Sequence, residues 1–299
     1  MTTITQRLAM LRTKMREANI TAYIVPTTDE YLGEYVPEQN KRLAYLSGFT
    51  GSAGTLVVTQ EQAALFADGR YTLQALNQCP EPLFEHHHLI SEPVLAWLKE
   101  TLLPGQSVAL DGRVVTYRFF KTVESELRDL GITLQALTHN LIDDIWTDRP
   151  AALMSPAILL SEAYSGESST SKRSRVAESL KAAGADAAVI SQLDSIAWLL
   201  NIRGNDVPHL PVLLSQSILL SDGTQHLFID PAKIPDGFTE HVGKSVFVHD
   251  ATDFSGFLER YGAQQPSILL DPDSTNALTA LTCLSSDCRL IEQKDPVEL

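Results

Sequence analysis

The residues best suited to contact a charged group lie in the segment FADGRYTLQALNQ. Asp68 and Gly69 predict a turn after a strand, and residues 71–78 predict the beginning of a helix. Arg70 would lie at the start of that helix, near the positive end of its dipole, where a carboxylate is a favoured neighbour. Its planar guanidinium group could hold a carboxylate through two hydrogen bonds. Arg70 is therefore the candidate binding residue, and an ion pair with a protein acid such as Asp68 is the alternative.

Two nearby patterns are weaker candidates. Three consecutive histidines begin at His86, but neighbouring residues of a strand point to opposite faces, so they do not easily converge on one metal ion. A surface strand or loop is the preferred interpretation. The glycines of GFTGSAG, at Gly48, Gly51 and Gly54, could form a backbone nest for an anion. A tight turn between strands is favoured, because glycine tolerates positive φ.

A third polar group follows the apolar run AWLL. Arg203, Asn205 and Asp206 form the cluster NIRGND, which predicts either a hydrogen-bonded corner within its own domain, the favoured reading, or a contact to another domain. The sequence contains no HExxH, GxSxG, GxxxxGKS or CxxC motif. We therefore assign no catalytic residue, no metal ligand and no cofactor to this chain.

The elements around these residues occur twice. An amphipathic helix over residues 5–18 precedes a strand-like run at 22–25, and the helix-like SKRSRVAESLKAAG precedes AAVIS, with Gly184 near the expected helix C-terminus. RLAYLSGFTGS is echoed by SIAWLLNIRGN, and in each copy a glycine, Gly51 or Gly204, follows six residues after the aromatic. This recurrence indicates an internal repeat.

Strand-like runs continue the repeat. TLVVT matches PVLLS, and LFADG matches LFIDP, so that Asp68 and Asp230 follow the same Leu-Phe pair. A period of about 155 residues is too long for a solenoid and indicates duplicated domains. The prolines near Pro150 place the boundary between residues 1–150 and 151–299. Each half is predicted to be an α/β domain with helices packed on a mixed sheet.

Composition excludes several classes of protein. A formal net charge of −14 opposes a broad nucleic-acid surface, because such binding depends on lysine and arginine. The sequence has no secretory signal and no apolar run of the roughly 18 residues needed to cross a bilayer. The three cysteines, Cys79, Cys283 and Cys288, match no zinc or redox motif and are interpreted as ordinary packed or surface thiols. A cytoplasmic protein with no nucleic-acid or membrane partner is expected.

Five segments together carry a resemblance to a family. GFTGSAG, FADGRYTLQA, IWTDRP, DSIAWLLNIRG and KDPVEL occur in this order, and with them the chain resembles the long, three-domain Xaa-Pro aminopeptidases, also called aminopeptidase P. The resemblance spans nearly the whole chain. It implies two tandem creatinase-type N-terminal domains of ribonuclease H-like α/β fold, in agreement with the repeat.

The same resemblance implies a function for the full-length protein. Such enzymes remove the first residue from peptides with proline second, using two divalent metal ions, usually manganese, in a pita-bread catalytic domain. We expect that domain to lie beyond Leu299, so this chain alone would be inactive. The arginine of the family's DGRY motif contributes to the substrate site and corresponds to Arg70. These domains would shape the substrate cleft and aid oligomerisation, with a homodimer expected for the full-length protein.

Two alternatives stay open. Some relatives with pita-bread architecture are non-catalytic protein-interaction modules, and the acidic charge would suit basic partners. An intact set of metal ligands downstream would distinguish an enzyme from such a module. A prolidase or creatinase generally has only one such N-terminal domain, and the internal repeat argues against that assignment.

Overall fold

The computed structural model describes residues 2–298. Its contacts divide the chain into two units. The first unit contains the chain up to Asp29 and residues 38–151, and the second contains residues 30–37 and 152–299. Each unit is an α/β domain built on its own sheet.

The first unit contains a six-stranded sheet with strand order β4-β3-β2-β1-β5-β6. Its helices are α1 (Ile4–Glu17), α2 (Arg42–Ser47), α3 (Thr72–Gln78), α4 (Val94–Thr101) and α5 (Tyr117–Arg128). Its strands are β1 (Ala22–Pro26), β2 (Gly54–Thr59), β3 (Ala63–Ala67), β4 (Glu85–His88), β5 (Ser107–Asp111) and β6 (Thr133–Leu137). The contacts β1–β2 and β2–β3 are antiparallel and the other three are parallel, so the sheet is mixed.

The second unit contains a six-stranded sheet with strand order β12-β11-β10-β8-β13-β14, and a small pair formed by β7 and β9. Its helices are α6 (Glu162–Ser165), α7 (Ser169–Ala182), α8 (Leu193–Leu200), α9 (Phe238–Val242), α10 (Phe254–Gly262) and α11 (Ala277–Ser285). Its strands are β7 (Ile158–Leu159), β8 (Ala187–Ile190), β9 (Ile202–Arg203), β10 (Gln216–Leu220), β11 (Gln225–Phe228), β12 (Val246–His249), β13 (Ser267–Leu270) and β14 (Arg289–Glu292).

The two main sheets have the same topology. In the second unit β8–β10 and β10–β11 are antiparallel, whereas β11–β12, β8–β13 and β13–β14 are parallel, as in the first unit. Strand order and strand direction therefore correspond position by position. The internal repeat and the mixed α/β architecture predicted from sequence are confirmed.

Corresponding helices begin with similar caps. Thr3 caps α1 in a capping box with Gln6, and Ser168 caps α7 by accepting from the Ser171 backbone N–H. Such side-chain caps stabilise a helix by about 1 kcal/mol each, because they satisfy backbone N–H groups that the helix leaves unpaired. Gly184 follows the α7 C-cap with φ +70°, in the left-handed conformation that glycine adopts readily.

Each unit buries its own apolar core against its sheet. In the first unit, Leu8, Leu11 and Met15 of α1 are fully buried on one helix face, as their spacing predicts. In the second unit, Leu180 of α7 and Leu199 of α8 pack into the corresponding core.

One predicted strand is wrong. PVLLS, residues 211–215, is not a strand, and the counterpart of β2 is β10, which begins at Gln216. Pro211 has no N–H, and the segment's backbone groups pair with the NIRGND corner instead of a sheet neighbour. The Pro211 carbonyl accepts from the Gly204 N–H and the Val212 carbonyl accepts from the Asp206 N–H.

Within residues 2–298, no helix has both the length and the apolar character needed to cross a membrane.

Candidate functional site

Arg70 lies where β3 ends and α3 is about to begin. Asp68 caps the 3-10 helix Gly69–Tyr71, and α3 follows directly at Thr72. One carboxylate oxygen of Asp68, Oδ1, accepts from the Arg70 backbone N–H at 2.9 Å and from Arg70 Nε at 2.8 Å. Arg70 therefore lies at the helix start, as predicted. It also forms the ion pair with Asp68 that was the alternative interpretation. The Arg70 side chain is 70% exposed, whereas that of Asp68 is 23% exposed.

The glycine-rich loop lies directly beside this turn. The Tyr71 hydroxyl and Ser52 Oγ are 2.7 Å apart, and the Tyr71 ring meets Phe49 edge to face with centroids 6.0 Å apart. A Cβ on Gly51 would lie 2.3 Å from Phe49 Cζ and 2.9 Å from Tyr71 Cγ. Glycine at position 51 therefore serves close packing of the loop against the DGRY turn. The loop joins α2 to β2, so the prediction of a turn between two strands is wrong in that detail.

The second unit repeats the turn but not its arginine. Asp230 follows β11 and caps the 3-10 helix Pro231–Lys233, accepting from the Ala232 backbone N–H at 2.9 Å. Ala232 stands two residues after its aspartate, as Arg70 stands two residues after Asp68. The backbone turn therefore forms without an arginine side chain at this position.

A second DGR sequence gives a further comparison within the first unit. At the end of β5, Asp111 accepts from Arg113 through the backbone N–H at 2.9 Å, Nε at 3.0 Å and Nη2 at 2.7 Å. Asp111 is fully buried, and the Arg113 side chain is 31% exposed. Two guanidinium nitrogens of Arg113 therefore donate to the Asp111 carboxylate. The Arg70 side chain is more exposed to solvent than that of Arg113. Sequence reasoning missed this turn, although the repeated DGR string was the available signal.

The electrostatics of the Arg70 turn follow from this pairing. The side-chain hydrogen bond from Arg70, followed by the Arg70 backbone N–H, lowers the pKa of the Asp68 carboxyl below its ordinary value. Asp68 is consequently ionised at neutral pH. The Arg70 guanidinium carbon also lies 5.5 Å from the centroid of the Tyr71 ring, within the range of a cation–π contact.

The histidine run forms β4, as the strand interpretation predicted, and each histidine has separate partners. His86 Nε2 contacts the Cys79 carbonyl at 2.7 Å, and His87 Nδ1 contacts Glu92 at 3.0 Å. His88 Nδ1 accepts from the backbone N–H groups of two following residues. A cavity of about 240 Å³ lies between these histidines and α3. Across the part of the chain that the structure describes, no three His, Cys, Asp or Glu side chains are grouped to hold a metal ion.

The NIRGND cluster forms a corner within the second unit. Asp206 is 1% exposed and accepts from Lys233 Nζ at 2.6 Å and from the Leu214 N–H at 2.8 Å. Arg203 Nη1 donates to the carbonyls of Ala197 and Ile202. The hydrogen-bonded corner favoured from sequence is therefore present. Sequence reasoning missed its partner Lys233, because no local spacing links residues 27 positions apart.

Two α/β units of identical topology, each with an aspartate-capped turn at a strand end, define a tandem of duplicated domains. Both halves match the family described as Creatinase/Prolidase N-terminal domain, over residues 7–144 and 148–299. The chain belongs to this family of creatinase/prolidase N-terminal domains.

Its relatives agree with the resemblance found in the sequence. A probable Xaa-Pro aminopeptidase P from Tuber melanosporum is 36% identical over 250 residues, covering 81% of this chain and 40% of the relative. The Drosophila melanogaster Xaa-Pro aminopeptidase ApepP is 35% identical over 299 residues, covering 97% of this chain and 48% of the relative. The chain thus spans less than half the length of these relatives.

A solved structure has a similar fold. An X-prolyl aminopeptidase from Caenorhabditis elegans, described as a cytosolic enzyme with a di-nuclear active site, matches with a TM-score of 0.91 and 29% identity. The match covers 98% of this chain and 51% of that protein. The predicted resemblance to Xaa-Pro aminopeptidases and the predicted creatinase-type fold are confirmed.

Proposed function

We propose that this chain is the non-catalytic N-terminal part of a metal-dependent Xaa-Pro aminopeptidase. The observation that carries the proposal is the match of both units to creatinase/prolidase N-terminal domains, together with aminopeptidase relatives that are about twice as long as this chain. The substrate would be a peptide with proline at the second position. Cleavage itself would require a catalytic domain outside these 299 residues.

The metal chemistry belongs to that further domain in this proposal. Two divalent ions, manganese by family resemblance, would supply an activated water for attack on the peptide carbonyl. The described residues of this chain do not fit such a centre, since they contain no suitable group of three ligands. The full-length enzyme would be cytoplasmic, and a homodimer is part of the same proposal.

Arg70 is proposed to contact the peptide substrate. Its side chain is 70% exposed, and the equivalent turn of the second unit forms with Ala232 at the same position. The arginine side chain is therefore not required to build the turn, which favours a role in binding. A charge-assisted hydrogen bond from Arg70 to a substrate carboxylate or carbonyl would contribute about 1.5–3 kcal/mol.

The test is a peptidase assay with an Xaa-Pro peptide and excess Mn²⁺. Residues 1–299 alone should show neither turnover nor stoichiometric metal, whereas the full-length enzyme should show both. In the full-length enzyme, Arg70→Ala should lower kcat/KM by about 10- to 100-fold with unchanged metal content. Arg70→Lys should restore part of the loss, because it keeps the charge but not the planar fork.

Arg128→Ala is the matched control. Arg128 lies on α5, is 65% exposed and pairs with Glu124 at 3.1 Å, so its loss also removes an exposed arginine from an ion pair. Wild-type kinetics for Arg70→Ala would refute its role in binding. Metal-dependent turnover by residues 1–299 alone would refute the proposal that these residues are non-catalytic. An inactive full-length protein that lacks metal would favour a protein-interaction module.

A further inference from the structure

Two of the three cysteines meet at the end of α11. The helix ends at Ser285, its C-cap is Ser286, and Asp287 follows with φ +61°. The Cys288 N–H donates to the Cys283 carbonyl at 3.0 Å, and the Asp287 N–H donates to the Leu284 carbonyl at 3.3 Å. These two bonds and the left-handed residue between them are the features of a Schellman motif.

The motif favours contact between two particular side chains. A Schellman motif is frequently accompanied by a contact between the second residue beyond the C-cap and the third or fourth residue from the helix end. Here those positions are Cys283 and Cys288, so their side chains are neighbours at the end of the helix. The backbone hydrogen bond that joins the same two residues also limits the separation of their α-carbons, as a disulfide requires.

We propose that Cys283 and Cys288 are a redox-active thiol pair that a hydroperoxide converts to an intramolecular disulfide. The Cys288 thiolate attacks the peroxide, the O–O bond breaks, and Cys288 becomes a sulfenic acid while hydroxide leaves. The Cys283 sulfur then attacks the Cys288 sulfur, the S–O bond breaks, and a second hydroxide leaves. Both hydroxides take up the thiol protons, so that two thiols and one hydrogen peroxide yield one disulfide and two waters.

The two sulfurs have different roles because their surroundings differ. Cys283 is fully buried, whereas Cys288 is 6% exposed and lies in the turn that leads into edge strand β14. Burial raises the pKa of both thiols, to about 12 for Cys283, but the neighbouring Cys283 thiol opposes the rise in pKa at Cys288. Cys288 is therefore the attacking sulfur and Cys283 the resolving one. Since both thiols are mostly protonated near pH 7, oxidation should be slow there and accelerate as the pH rises.

Cys79 provides an internal control. It is fully buried in the first unit, its Sγ contacts the Ser47 carbonyl at 3.3 Å, and burial raises its pKa to about 11. Like the pair, Cys79 is buried and has a raised pKa. Its neighbouring group is the Ser47 carbonyl, whereas Cys288 has the Cys283 thiol beside it. A reaction caused only by general oxidation of buried thiols would not distinguish Cys79 from the pair.

The experiment treats the reduced 299-residue chain with hydrogen peroxide at pH 7 and pH 9, then alkylates the remaining thiols after denaturation. Peptide mapping by mass spectrometry without reduction should find a 283–288 link, while Cys79 stays alkylated. The link should form several-fold faster at pH 9, and dithiothreitol should reverse it. Cys79→Ser should leave it unchanged, and Cys283→Ser and Cys288→Ser should each abolish it, with circular dichroism verifying that every variant is folded.

Three outcomes would overturn the proposal. Retention of all three thiols under oxidant that converts a control dithiol would exclude the pair as a redox site. A disulfide that includes Cys79, or that joins two chains, would place the reaction elsewhere. Accumulation of sulfinic acid on Cys288 without a link would show that Cys283 does not act as the resolving thiol.

Discussion

Lys233 and Asp206 form a buried ion pair in the second unit. The Lys233 and Asp206 side chains are 6% and 1% exposed, and Asp206 Oδ1 has no hydrogen-bond partner among the described residues. Removing the ammonium group would leave a buried carboxylate supported mainly by the Leu214 N–H. Lys233→Met is expected to lower the free energy of unfolding by about 3–5 kcal/mol, because an uncompensated buried charge is costly.

Chemical denaturation followed by fluorescence measures this change. Lys244→Met serves as the control, because Lys244 is an exposed lysine of the same unit and its loss should change the free energy by less than about 0.5 kcal/mol. Equal stability of Lys233→Met and wild type would show that the pair contributes little.

At this scale, sequence reasoning succeeds where the interacting groups are neighbours in the chain. The position of Arg70 and its pairing with Asp68 follow from residues only two positions apart, since a turn aspartate accepts from the second residue beyond it. The pairing of Asp206 with Lys233 depends on how the chain returns after β11. Such contacts are set by tertiary packing, and no local pattern specifies them.

At the scale of elements, adjacent strands β11 and β12 carry a coupled histidine pair. His226 Nδ1 and His249 Nε2 are 2.9 Å apart among phenylalanine rings. Burial, followed by the charge of His249, lowers the pKa of His226 to about 4, and burial also lowers the pKa of His249. Asp222 opposes the shift at His226, Asp253 opposes that at His249, and Arg260 adds to the latter.

The sign of the pH dependence follows from these shifts. Unfolded histidine takes up a proton near pH 6.5, whereas folded His226 does so near pH 4. The stabilisation from the neutral pair is therefore complete above about pH 6.5 and is lost as the pH falls towards 4. Hydrogen exchange of β11 and β12 should accelerate between pH 7 and pH 5, after correction for intrinsic rates, more than that of β2 and β3. His226→Leu should flatten this dependence; an unchanged slope in that variant would contradict the assignment.

Elements with a clear periodicity could be predicted, and elements shaped by competing hydrogen bonds could not. The α1 helix and β1 strand follow from apolar spacing. The apolar run at residues 211–215 has the composition of a strand, but Pro211 and the pairing with the NIRGND corner displace the strand to β10. A short apolar run indicates burial and leaves its hydrogen-bond partners undetermined.

At the scale of the whole molecule, the duplication allows the same substitution to be compared at corresponding positions of the two units. Gly51 and Gly204 were matched by sequence position alone, and both lie where a Cβ does not fit. On Gly204, a Cβ would lie 2.3 Å from Leu213 Cδ2 and 2.9 Å from the Val212 carbonyl oxygen. Both units therefore require a residue without a Cβ at this position, although the contacting residues differ between the units. The glycine repeated at the same place in the two sequence copies indicates this requirement.

Because each unit has its own sheet and apolar core, each glycine substitution should act on its own unit. Gly51→Ala should destabilise the first unit and Gly204→Ala the second, each by about 1–3 kcal/mol, since overpacking shifts the surrounding side chains. Hydrogen exchange followed by mass spectrometry resolves the two sheets, with β2 and β3 reporting the first and β10 and β11 the second. Gly33→Ala is the control, because its Cβ would lie an ordinary 3.6 Å from the Tyr35 carbonyl oxygen. If either substitution accelerated exchange equally in both sheets, the two units would unfold as one cooperative body.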